Sequence, residues 1–242
     1  MRDQSGNVLF YILIGVALLA ALSYTVARSS RGGAQSVGKE KAAIVASEII
    51  EYSQIVGNAV TQLRLRGVRD TELSFENEVV SGYENANCLD DSCRIFDLDG
   101  GGISYSPPKE EWLEGKYHGE PRFGELYFNG SAMGLAKGSD SKDDLIMFVP
   151  YLKKSICVAI NKMLSISLDS DVTPSEKNGP FETSAKFNGI YTEATDFTVA
   201  GDNTSGQGEI FSSHSAGCTK SSGAGAAPVE GSYHFFKVLI AR

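Results

Sequence analysis

The residues whose type and spacing could do chemistry are four cysteines, Cys88, Cys93, Cys157 and Cys218, and three histidines, His118, His214 and His234. An even cysteine set behind an export-type apolar segment points to disulfides in an oxidising compartment, with three connectivities open. Of these the spacing favours Cys88 with Cys93, closing a tight local loop, and Cys157 with Cys218, tying a distal segment to a helix. Zinc is a poor alternative, because Cys-x4-Cys has no second closely spaced pair and no histidine beside it. The histidines are scattered, and no HExxH, GxSxG, phosphate-binding or dinucleotide-binding loop occurs. No catalytic residue and no cofactor is therefore expected, and the chain reads as a non-enzyme.

Two further patterns are weaker. Asp97-Leu98-Asp99-Gly100 has the alternate carboxylates of a calcium loop, but an EF-hand needs another side-chain ligand where Gly101 stands and a glutamate where Pro108 stands. A glycine-rich turn without metal is the expectation. Asn129-Gly130-Ser131 and Asn203-Thr204-Ser205 match the glycosylation sequon, a short motif with many chance matches. Trp112 and the tyrosines read as core packing.

The elements that position these groups begin at the N-terminus. Residues 7–27, NVLFYILIGVALLAALSYTVA, contain no charge. At about 1.5 Å per residue, a helix there matches the roughly 30 Å of a bilayer's hydrocarbon, so a membrane-spanning helix is expected. Gly15, Ala17, Ala20 and Ala21 place small residues within it. Ala17, Ala21 and Thr25 recur at four-residue steps on one face, the pattern that lets helices pack closely. Residues 1–6 are a short polar leader. Residues 28–38 are a basic flank and flexible break, whose Arg28 and Arg31 point toward the cytoplasm by the positive-inside rule.

Residues 39–66 read as an amphipathic helix. Ala42, Val45, Ile49, Tyr52, Val56, Val60 and Leu63 form its apolar stripe, and Glu40, Ser47, Glu51, Gln54, Asn58 and Thr61 the polar one. Gly67 is its stop signal. Residues 67–242 read as a globular α+β head. Strands are expected at 94–96 and 103–105, flanking the glycine-rich turn, then at 124–128 up to Asn129-Gly130, and at 144–149. A second helix should open at Pro150 and carry Leu152, Ile156, Cys157, Ile160 and Met163. A short run spans 187–191, a small polar loop at 212–231 holds Cys218, and YHFFKVLI at 233–240 closes the chain as a strand.

With 242 residues and a formal charge of −8, the chain has room for one ordinary globular domain beyond the apolar segment and is a poor partner for nucleic acid. Polar leader, apolar helix, amphipathic continuation and disulfide-bearing head together resemble the type IV pilin and pseudopilin superfamily. The likeness is one of pattern over the N-terminal quarter and of architecture beyond it. It implies an α+β fold: a long N-terminal helix, membrane-spanning then amphipathic, packed on a β-rich, disulfide-bearing head. It also implies cutting by a prepilin-type peptidase after the leader glycine, between Gly6 and Asn7, and helix-packed assembly with itself or related pilin-like subunits. The further partners implied are the membrane and an assembly platform. The location implied is the inner membrane with a periplasmic head, or a surface filament. Tyr11 stands where the family carries a glutamate five residues after the cut, and Asn7 where it carries Phe or Met, which marks a divergent branch. The other reading is a membrane-anchored periplasmic binding or sensing domain that does not polymerise.

Overall fold

The computed structural model describes residues 5–133, 143–166, 186–191, 214–221 and 229–242, with the side chains of 5–8, 26–37, 131–133 and 143 excepted. It contains two compact units, Met1–Ala42 and Ala43–Arg242. Helix α1 is one element, Ser5–Leu65. It takes in residues 28–38, where the glycines suggested a break. In the second unit Val45, Ile49, Val56, Val60 and Leu63 are buried, joined by Ala46, Ser53 and Ala59, while Glu51, Gln54, Asn58 and Thr61 are exposed. The helix stops because Gly67, at φ +98°, turns the chain and the Val68 N–H returns to the Leu63 carbonyl at 3.1 Å.

The expected fold class is corrected at its membrane-spanning helix. Among the described residues no helix is long and apolar enough to cross a membrane. The membrane-spanning, single-pass assignment is therefore withdrawn. The head is α+β, as expected. Its described strands form one four-stranded antiparallel sheet, and residues 67–126 are turns, 3-10 segments and extended chain.

The sheet has the order β1-β2-β4-β3, with β1 at Tyr127–Met133, β2 at Asp143–Leu152, β3 at Ala216–Lys220 and β4 at Tyr233–Ile240. YHFFKVLI is thus the terminal strand and lies inside the sheet. Asn129-Gly130 does not end a strand but lies within β1, next to an irregularity in its register with β2. Gly130 is required there, since a Cβ would meet the Phe187 ring at 2.7 Å. Pro150 opens no helix. It sits in β2 at a break in the ladder with β4, where a missing N–H is tolerated. Helix α2, Lys154–Met163, starts after it and buries Ile156, Cys157, Ile160 and Asn161.

The segments 94–96 and 103–105 are not strands. Among the described residues they show only an isolated bridge, Ser74 with Arg94. The glycines between them do the holding instead. The Gly101 N–H donates to the Arg94 carbonyl at 2.8 Å, and a Cβ at Gly100 would fall 2.0 Å from that same oxygen. Beneath this turn, Phe75 stacks on Phe128 with ring centroids 4.0 Å apart, and Phe96 and Tyr83 pack around the pair.

Both expected disulfides are present, Cys88–Cys93 and Cys157–Cys218. Cys218 lies not in a surface loop but in β3, fully buried, and its own N–H and carbonyl are both bonded by the Asn161 side chain at 2.8 Å. The two bridges span 5 and 61 residues, so their loop-closure contributions differ. Replacing both Cys157 and Cys218 by serine should remove about 4 kcal/mol of unfolding free energy, and the same change at Cys88 and Cys93 about 2 kcal/mol. Urea unfolding of the two variants checks the order, and a larger loss from the short loop would contradict it.

Candidate functional site

The described residues hold no cluster of His, Cys, Asp or Glu that could bind a metal. Asp97 turns its carboxylate back onto the Asp99 N–H at 2.9 Å, as a turn-former does. His118 lies against Phe123, and His234 is buried in β4, sharing a 2.8 Å hydrogen bond with the Thr219 hydroxyl. The sequon at Asn129 is closed to a glycan, since the side chain is only 1% exposed and donates to the Tyr127 hydroxyl at 3.0 Å. The sequon at Asn203 lies outside the described residues. What remains is a surface on each unit.

On the first unit it is the apolar part of α1. Leu9, Phe10, Tyr11, Ile12 and Leu13 are consecutive and each more than 60% exposed, so apolar groups emerge on every side of the helix. The exposure continues to Tyr24. Ala17, Ala20 and Ala21 are exposed as well, and Gly15 partly so. Among the described residues a Cβ placed on Gly15 would meet nothing within 4 Å, so none of them requires a glycine there. Thr25, the one hydroxyl on the Ala17–Ala21 face, satisfies itself on the Leu22 carbonyl at 2.8 Å. Gly6 and Asn7 both belong to α1, and their side chains are not among those described.

On the second unit a groove of about 260 Å³ lies between α1 and residues 106–112, floored by Leu126 of the approach to β1 and by Met147 and Val149 of β2. Ile49, Tyr52 and Ile55 form its α1 wall, and Trp112 the opposite one. Lys109 closes one rim. Its ammonium reaches Glu48 at 2.7 Å and lies 5.1 Å over the Trp112 ring, which fixes that indole against the apolar floor. Tyr52 sets the width of the groove, because its hydroxyl donates to the Ser104 carbonyl and accepts from the Ser106 N–H, both at 2.9 Å.

Tyr83 and Tyr105 are used in the same way. The Tyr83 hydroxyl donates to the Leu126 carbonyl at 3.2 Å and accepts from the Phe128 N–H at 3.1 Å, and the Tyr105 hydroxyl accepts from the Leu126 N–H at 3.0 Å. Sequence reasoning missed these roles and the groove itself. Phenols that clamp backbone follow no fixed spacing, and the only hint was Tyr52 on the margin of an otherwise aliphatic stripe.

The chain matches no family model, no characterised protein and no solved structure.

Burial raises the pKa of Tyr52, Tyr83 and Tyr105 above the ordinary 10.0. A raised folded-state pKa means stability is complete below the unfolded value and is lost as pH climbs through and past it. The head should therefore lose stability steeply above pH 10. Tyr52→Phe should lower unfolding free energy at neutral pH by roughly 1–3 kcal/mol, since Ser104 and Ser106 lose their partner. It should also flatten the alkaline loss. Denaturant melts from about pH 7 to 11 test both effects, and an unchanged alkaline slope would count against the clamp.

Proposed function

We propose that this chain is a non-enzymatic structural subunit of a type IV pilus-like or pseudopilus filament. It would assemble with itself or with related subunits through the apolar part of α1. The observation that carries the reading is the all-round exposure of apolar side chains over 9–25. So much apolar surface in one segment is a binding surface for something. Small residues unneeded by the chain's own packing, Gly15 above all, suit a close-packed helical neighbour. Two disulfides suit a filament exposed to oxidising surroundings at the cell surface. The reading also assigns the Gly6–Asn7 bond to a prepilin-type peptidase and assembly to a dedicated platform. Tyr11, exposed and uncharged, leaves packing rather than an ion pair to hold neighbouring helices together.

Two measurements test this. The mature chain from its native host should begin at Asn7 by N-terminal mass. A start at Tyr24, just after the small-x-small run Ala21-Leu22-Ser23, would mark a conventional signal peptide and exclude the filament. Ala17→Leu and Ala21→Leu should each cut the sedimentable filament fraction about tenfold, the equivalent of roughly 1.4 kcal/mol per contact, while Leu18→Ile leaves it unchanged. If all three variants assemble alike, helix-packed assembly is wrong and a non-polymerising binding head is the better account.

A further inference from the structure

We propose that the Cys88–Cys93 bridge is a redox latch: a dithiol reductant opens it in the folded head and loosens residues 88–101, while Cys157–Cys218 stays closed. The two bridges differ first in access. Cys157 and Cys218 are both 0% exposed, so attack on their bond requires the core to open. Cys88 is only half-buried, and its neighbours Ala86, Asn87, Leu89 and Asp90 are all exposed. Cys93 is 6% exposed. A thiolate therefore approaches at Cys88, with Cys93 as the leaving sulfur.

The bridges differ also in what they hold. Cys88 is anchored through its N–H on the Asn85 carbonyl at 2.9 Å. On the other side, Cys93 and Ile95 meet Ser74 through one backbone hydrogen bond each, at 3.1 and 2.8 Å. Within the closed loop, the Asp91 carboxylate pairs with Arg94 at 2.9 Å, and Arg94 also reaches Glu76 at 3.3 Å. The Arg94 carbonyl receives the Gly101 N–H, and the adjacent Gly100 carbonyl accepts from Arg66 at the end of α1. Asn85, the bridge, Arg94, the glycine turn and α1 thus form one line of contacts. The bridge is its covalent link.

In the step itself, the reductant's thiolate attacks the Cys88 sulfur, and the Cys93 thiolate leaves and takes up a proton. The reductant's second thiol then displaces Cys88 as a thiol, so the dithiol is oxidised to its own disulfide as the bridge is reduced. Residues 88–93 regain the freedom that ring closure had removed. Asp91 is then no longer held beside Arg94, and hydrogen bonds alone keep Arg94 and Ile95 in place. Arg94, Phe96 and Asp97 line a cleft of about 460 Å³ together with Glu76, Val79 and Tyr105. Reduction loosens that wall without unfolding the sheet.

The test treats the full oxidised chain with dithiothreitol in the absence of denaturant, alkylates the thiols for peptide mapping, and follows amide hydrogen exchange. Cys88 and Cys93 should alkylate well before Cys157 and Cys218. The Ser74, Ile95 and Gly101 amides should then exchange about tenfold faster, with Phe148 and Phe235 in the sheet unchanged. Cys88→Ser with Cys93→Ser should give the same exchange pattern without reductant. Alkylation of all four cysteines together would mean that the bridge opens only with the core, and would overturn the proposal. Selective reduction with no change at Ser74, Ile95 and Gly101 would overturn it as well, because the bridge would then hold nothing in place.

Discussion

A backbone group taken out of water needs a hydrogen-bond partner, and in this head many such groups lie outside helices and sheet. Residues 67–126 bury Leu73, Phe75, Tyr83 and Ile95 with almost no ladder to pair their amides. Side chains take over that work. Asn85 donates to the Thr71 and Leu73 carbonyls at 2.9 and 2.8 Å and accepts from the Asn87 N–H at 2.9 Å. Tyr83 and Tyr105 serve the approach to β1, Tyr52 ties the next segment to α1, and Asn161 ties β3 to α2. A satisfied network of this kind holds one arrangement, because each member, if lost, strands a buried partner.

The same constraint governs the charged groups beneath α1. Lys237 is buried in β4 close to Gly57 of α1, and its ammonium has the Ser215 hydroxyl at 3.2 Å. Burial lowers its pKa, so at neutral pH the charged lysine opposes folding, and the opposition fades as pH rises toward 10.5. Asp144, equally buried, accepts from the Arg242 N–H at 2.9 Å and so ties the end of the chain to β2. The tyrosines act in the opposite sense, their neutral forms being the ones the fold prefers. Alkaline pH therefore relieves the lysine while it strains the phenols.

This division explains what could be read beforehand. Wherever regular periodicity meets regular pairing, sequence and structure agree, as in the buried stripe from Val45 to Leu63, the strand Tyr233–Ile240 and the glycine stop after α1. The local disulfide was legible because few folds could keep Cys88 and Cys93 apart. Elsewhere the apolar pattern was real but its backbone partner was misjudged. Ile95 and Phe96 are buried or half-buried as strand residues would be, yet the Ile95 N–H goes to the Ser74 carbonyl at 2.8 Å rather than to a hairpin partner. Asn129-Gly130 and Pro150 are turn and helix signals that tertiary packing overrides, the first for Phe187 and the second at a ladder break. The groove was invisible because its walls come from α1, from an irregular segment and from β2, which only the fold brings together.

The two exposed apolar surfaces differ in physical kind, and that bears on how an assembly could be specific. The apolar part of α1 displays side chains in all directions and few polar atoms, so it supplies strong attraction with little choice of orientation. The groove is small and framed by Lys109, Tyr52 and Trp112, and its rim carries Glu48, Glu51 and Lys109. Such a surface offers less area but more selectivity, because an occupant that desolvates Glu51 without supplying a cation is penalised. An occupant of the groove would therefore be selected by shape and charge, whereas one on the apolar helix would be selected by little more than area. The bracing of that wall by Tyr52 and by Lys109 over Trp112 serves the same end, since selectivity of this kind needs a fixed width.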